Sequence, residues 1–191
     1  MAPIHFLTDL GDLAVLLPLS TVILAWLLLW PRWDAACWWL LSLAFCAGFT
    51  ALLKIFNTAC PGTLSSNPSG HASLSLLVYG AAFVLVSARA GRWPRILLAL
   101  AGITLALAIA VSRVLIGAHS VAEVFMGMAI GSAALALFVF GFRRSVPAGL
   151  PVWTLTVPAV LVVLLSNGRE LQAAEIFQFF GLYLHQAGIC G

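Results

Sequence analysis

The 191-residue chain is 63% hydrophobic and 8% charged, with a net charge of +3 and a mean hydropathy of +1.11. A soluble domain carries about 25% charged residues; this chain has too few to cover a water-facing surface, which excludes an ordinary soluble enzyme, a disordered chain and a nucleic-acid-binding domain. The composition describes an integral membrane protein, in which an ionisable residue near hydrocarbon is costly and so a functional candidate.

The N-terminus has no basic segment and its first charges are Asp9 and Asp12, so it does not read as a cleaved signal. A membrane helix needs about 20 apolar residues. The first candidate runs from Leu13 to Trp30 and stops at Pro31-Arg32-Trp33-Asp34, and the second runs from about Ala36 to Phe56 with Lys54 near its end. A polar stretch, Asn57 to Ser69, leads to the third, from Gly70 to about Val86, which is followed by a basic loop with Arg89, Arg92 and Arg95. The fourth runs from about Ile96 to Val111, and a short polar break holds Ser112, Arg113 and His119. The fifth runs from Val121 to Phe142 and ends at Arg143-Arg144, and the sixth, Val152 to Leu165, is short and contains Pro158. The tail, residues 168–191, begins polar and turns aromatic, which predicts an interfacial helix. The expected fold class is all-α, a polytopic membrane helix bundle of about six transmembrane helices forming a single domain over residues 1–191.

Six spans put both termini on one side. The odd loops carry Arg32, Arg89, Arg92, Arg95, Arg143 and Arg144, whereas the other side holds Lys54, Arg113 and Arg169. The positive-inside rule then assigns the odd loops to the cytoplasm. Trp30, Trp33, Trp38, Trp39, Trp93 and Trp153 flank those same loops, as one interfacial belt does, and only Trp26 lies deeper.

Two outward-facing segments carry chemistry. In Pro68-Ser69-Gly70-His71, a helix start offers free N–H groups and a positive dipole end, which suits phosphate. Gly70 allows close backbone approach and His71 adds a proton donor; the plainer reading of Ser69 is an N-cap. In the second segment, Ser112 to Glu123, His119 follows Arg113 by six residues and precedes Glu123 by four. On a helix His119 and Glu123 share a face. The carboxylate then accepts the Nδ1–H of His119 and leaves Nε2 as a nucleophile. The plainer alternatives are a structural His–Glu pair, and Lys54 and Arg113 snorkelling to the interface.

With these residues the chain resembles the type 2 phosphatidic acid phosphatase (PAP2) superfamily of membrane lipid phosphatases, whose motifs are K-x6-R-P, P-S-G-H and S-R-x5-H-x3-D. The second is complete at Pro68-Ser69-Gly70-His71. The third appears as Ser112-Arg113, five residues, His119, three residues and Glu123, with glutamate in place of aspartate. The first keeps Lys54 but lacks its arginine, since Cys60 or Pro61 stands there depending on the end counted from. The resemblance implies that His119 is the nucleophile forming a phosphohistidine, that Glu123 holds its tautomer, and that His71 is the general acid and later the base for water. It implies that Lys54, Arg113, Ser69 and the amide of Gly70 stabilise the phosphoryl oxygens, with no metal and no cofactor.

The implied substrate is a lipid phosphate or diphosphate, drawn from the bilayer into a site at the outer face of the cell inner (plasma) membrane, toward the periplasm or exterior. The alternatives are a lipid phosphotransferase using the same histidine and a catalytically weak relative that binds phospholipid or a protein partner. His5 and His185 match no motif and read as interfacial. Cys37 and Cys46 read as small apolar residues in or near the second span. Cys60 and Cys190 are both expected to face outward, where an oxidising compartment would let them pair; the alternative is two free thiols.

Overall fold

The structure is a computed structural model that describes residues 2–29, 33–62, 66–88, 90–142, 151–169, 171 and 174–187. Among these residues all regular structure is helical: α1 (Ala2–Asp9), α2 (Leu13–Leu28), α3 (Trp33–Ala59), α4 (Gly70–Ser87), α5 (Arg92–Leu115), α6 (Val121–Phe142), α7 (Trp153–Ser166) and α8 (Ala174–Gln186). Helices α3, α4, α5 and α6 are long and apolar enough to cross a membrane, and α2 and α7 are shorter apolar helices. The expected polytopic bundle is therefore the observed fold, with its span positions close to those read from hydropathy. Helix α3 extends at both ends beyond the expected apolar run, because Trp33, Asp34, Asn57 and Thr58 continue the helix past the hydrocarbon-compatible residues. Helix α1 is an addition: its eight residues are too short to register as a span.

Helix α4 is the centre of the bundle. Its most apolar stretch is 61% buried, against 28–33% for α3, α5 and α6, and it packs on α3, α5 and α6. Small residues allow its approach to α6. A Cβ on Gly127 would lie 2.4 Å from the Ser69 carbonyl, and one on Gly131 would lie 2.5 Å from the Ser73 carbonyl. This is the close backbone contact that glycine four residues apart permits between membrane helices. Away from the site, Trp39 packs edge-on against Phe138 at 5.4 Å, and Phe138 stacks on Phe142 at 5.6 Å.

The helix directions gather the charged motifs at one end. Lys54 is near the C-terminus of α3, His71 opens α4, Arg113 closes α5 and Glu123 opens α6. Asp12 caps the start of α2 at the same end. Trp33, Trp93 and Trp153 begin α3, α5 and α7 at the opposite end and are 65–72% exposed, as an interfacial belt requires. Trp26 is buried and donates its indole N–H to Thr154 Oγ1 at 2.9 Å, joining α2 to α7. Trp30, Arg32, Arg89, Arg143 and Arg144, on which much of the topology argument rests, lie outside the described residues.

The tail contributes α8, which is docked on the bundle and mostly exposed on its other side. Helix α8 packs against α3. A Cβ on Gly181 would come within 2.5 Å of Thr58, and His185 Nδ1 donates to the Ala59 carbonyl at 2.8 Å. Cys60, at the end of α3, is buried and disulfide-bonded, and Cys37 and Cys46 are free. Cys190, the expected partner of Cys60, lies outside the described residues.

Candidate active site

The turn between α5 and α6 is built by two capping motifs. Helix α5 ends at Ile116, and Gly117 follows with φ of +72°, a conformation glycine adopts without strain. The Gly117 amide then donates to the Val114 carbonyl and the Ala118 amide to the Arg113 carbonyl, both at 3.0 Å. This pair of bonds is a Schellman motif. The His119 amide also donates to the Arg113 carbonyl, at 3.2 Å. The two conspicuous residues of this segment are thus joined through the backbone.

Helix α6 begins with a reciprocal cap. The Glu123 amide donates to Ser120 Oγ at 3.3 Å, and the Ser120 amide donates to Glu123 Oε2 at 3.0 Å. This is the Ser-x-x-Glu capping box. The same Oε2 lies 3.0 Å from His119 Nδ1. His119 therefore reaches Glu123 from just outside the helix, because the capping carboxylate folds back toward the N-terminus. The expectation that the two share a helical face is corrected in its geometry, although the pair itself forms. Glu123 also ties the loop before α4: its Oε1 accepts from the Asn67 amide at 3.3 Å and its carbonyl from the Ser69 amide at 2.9 Å. One carboxylate oxygen thus both closes the box and holds the imidazole.

Helix α4 starts at Gly70 with Ser69 as its N-cap. Ser69 is fully buried and its Oγ accepts from the Ala72 amide at 3.4 Å, so its hydroxyl is turned onto the helix. Gly70 and His71, in the first turn, face a cavity of about 780 Å³ that Lys54, Arg113 and His119 also line. A Cβ at Gly70 would lie 3.7 Å from Lys54 Nζ, so that ammonium sits beside the helix start. Leu13, Leu17, Leu40 and Leu43 of α2 and α3 line the same cavity, so one space joins charged and apolar walls.

The positions where the first motif's arginine is absent carry no cation into the site: Cys60 is buried in its disulfide and Pro61 is exposed. The wall beside Lys54 comes instead from α8. The Phe177 ring lies 5.6 Å from Lys54 Nζ, within cation–π range, and Glu175 and Gln178 line the same cavity. Sequence reasoning missed this contribution, and it missed Asp12. The Asp12 carboxylate accepts from the Ala14 amide at 2.8 Å and the Leu171 amide at 3.0 Å, and it lies 3.5 Å from His71 Nε2.

Electrostatics favour a neutral His119. Burial pushes its imidazole below the ordinary histidine value, and Lys54 and Arg113 push the same way, against the opposing pull of Glu123. A neutral ring whose Nδ1–H is held by a carboxylate presents Nε2 as a lone-pair donor. Among the described residues, no group of three or more His, Cys, Asp or Glu is arranged to hold a metal ion.

Residues 54–147 match the family model described as the PAP2 superfamily, a range that contains all three motif segments. No curated protein and no solved structure matches the chain.

Proposed function

We infer from the match over residues 54–147 that the chain is a member of the PAP2 superfamily, a family made up generally of phosphatases. From that membership and this geometry we propose that it removes phosphate from a lipid phosphate monoester or diphosphate at the outer face of the cell membrane. The observation that carries the reading is the 3.0 Å bond between His119 Nδ1 and Glu123 Oε2, placed on a cavity that also holds Lys54, Arg113 and His71. Its apolar walls suit a lipid chain while the headgroup meets the cations.

In the proposed reaction, His119 Nε2 attacks the terminal phosphorus, and the bond from that phosphorus to the leaving oxygen breaks, the ester oxygen of a monoester or the bridging oxygen of a diphosphate. His71 gives that oxygen its proton, releasing a lipid alcohol from a monoester or a lipid monophosphate from a diphosphate. Glu123 stabilises the charge that His119 acquires. Water then attacks the phosphohistidine, its proton returns to His71, and inorganic phosphate leaves. Lys54, Arg113 and the first-turn amides of α4 oppose the charge on the phosphoryl oxygens. The tryptophan-rich end opposite the site is the proposed cytoplasmic side.

The test is phosphate release by the purified protein from a panel containing undecaprenyl diphosphate, phosphatidate, phosphatidylglycerol phosphate and lipid A phosphates. Release that is lost in His119→Ala supports the reading, and equal release by the two proteins refutes it.

A further inference from the structure

We infer that Asp12 is a positioning residue for His71, holding the ring and its proton for transfer to the leaving oxygen. The inference rests on the phosphatase reading above. Asp12 lies outside the matched range of residues 54–147 and comes from the start of α2. It is 7% exposed. A carboxylate so placed is costly to bury unless its oxygens are satisfied. Oδ1 is satisfied by backbone alone, from Ala14 on α2 and Leu171 in the tail. Oδ2 faces the His71 ring, 3.5 Å from Nε2.

An N-cap requires one acceptor oxygen, and asparagine or serine supplies it as well as aspartate. The second oxygen is what distinguishes this residue. In the protonated ring both nitrogens carry hydrogen. The Nε2–H then points to Asp12, and the Nδ1–H is the one available to the leaving oxygen. A fixed anion behind an imidazolium orients it and stabilises its charge, the role a carboxylate plays behind any catalytic histidine. Through Leu171 the same carboxylate holds the segment leading into α8, whose Glu175, Phe177 and Gln178 wall the cavity. The proton donor and the tail are thus referred to one anchor.

The experiment exploits the leaving group. An alkyl alkoxide must be protonated as it departs, whereas p-nitrophenolate leaves without help. Asp12→Asn keeps the capping oxygen and removes the charge. It is expected to lower kcat/KM on an alkyl phosphate such as phosphatidate by roughly 10- to 100-fold, a part of what general acid catalysis contributes. Its kcat/KM on p-nitrophenyl phosphate, which reports only the formation of the phosphohistidine and not the later water step, is expected to stay within threefold of wild type. His71→Ala should show the same asymmetry, and adding Asp12→Asn to it should cost nothing further on phosphatidate, since the two act as one unit.

Equal losses on both substrates, or additive losses in the double variant, overturn the role of Asp12 and leave the phosphatase reading standing. Wild-type protein that releases no phosphate from any lipid overturns both.

Discussion

Replacing Glu123 with glutamine isolates the charge that the site places behind its proposed nucleophile, His119. Glutamine is as acceptable as glutamate at the third position of a capping box, so α6 should still start at the same place. What is lost is the charge-assisted bond between Oε2 and His119 Nδ1, now 3.0 Å. Such a bond contributes about 1.5–3 kcal/mol. At about 1.4 kcal/mol per factor of ten, the plateau of kcat/KM should fall roughly 10- to 150-fold.

The pH dependence carries an independent sign. The nucleophile must be neutral, so kcat/KM rises with pH through the His119 value. Burial already holds that value below the ordinary imidazole, and Glu123 is the group that opposes burial. Without its charge, burial, Lys54 and Arg113 act unopposed, and the acidic limb moves to still lower pH. The assay is phosphate release across pH for both proteins in the same detergent. A plateau within threefold of wild type, or an acidic limb that moves to higher pH, refutes the reasoning.

Other outcomes follow from single contacts. In Gly127→Ala the new Cβ would lie 2.4 Å from the Ser69 carbonyl, whereas Gly48 has no neighbour within 4 Å. Gly127→Ala should cost about 1–3 kcal/mol and lower the apparent melting temperature, with Gly48→Ala as the unaffected control; equal behaviour of the two refutes the close α4–α6 packing. Phe177→Leu removes the ring 5.6 Å from Lys54 Nζ. The loss of about 0.5–1 kcal/mol should raise KM for lipid phosphate roughly two- to fivefold with kcat little changed, and an unchanged KM counts against α8 as a wall of the site. Burial raises the Asp12 carboxyl, but His71 and the amides of Ala14 and Leu171 outweigh it and hold the group below the ordinary aspartate value. That depression stabilises the fold above the unfolded-state value, and the contribution is lost as pH falls through the lower folded value. Thermal stability should accordingly decline less steeply on acidification in Asp12→Asn than in wild type, and parallel curves would show the linkage absent. Peptide mapping without reductant is expected to recover Cys60 joined to Cys190, and a free Cys190 would exclude that staple.

The bundle was legible because hydropathy needs no tertiary context. The fifth expected span, Val121 to Phe142, coincides with α6 because a capping serine precedes it and an unbroken apolar run fills it. The His119–Glu123 pair was legible for a different reason from the one that makes it. Spacing suggested a helical face, and a capping box produced the contact. For Ser69 the sequence allowed both a phosphate contact and an N-cap, and its hydroxyl caps α4. Asp12 and the tail could not be read from the chain. Their link, Leu171 to Asp12, spans 159 residues and leaves no periodic trace. Helix α8 is too short and too mixed in polarity for its docking face to be distinguished from an interfacial one.

The absent arginine and the docked tail are best understood together. Cys60 continues the α3 hydrogen-bond ladder, its amide donating to Phe56 at 2.8 Å, and its side chain is taken up in a disulfide. The adjoining Thr58 and Ala59 receive Gly181 and His185 of α8. The end of α3 is therefore occupied with holding α8, and a long guanidinium at position 60 would have to displace that packing. In return α8 brings an aromatic face to Lys54. A ring beside an ammonium fixes its position without neutralising its charge. Lys54 thus keeps its charge on the cavity that Arg113 and the start of α4 also line, as the proposed reaction requires. In the proposed reaction two cations and a helix terminus then serve one phosphoryl group, and the place of a third cation is given over to the tail that lines the cavity.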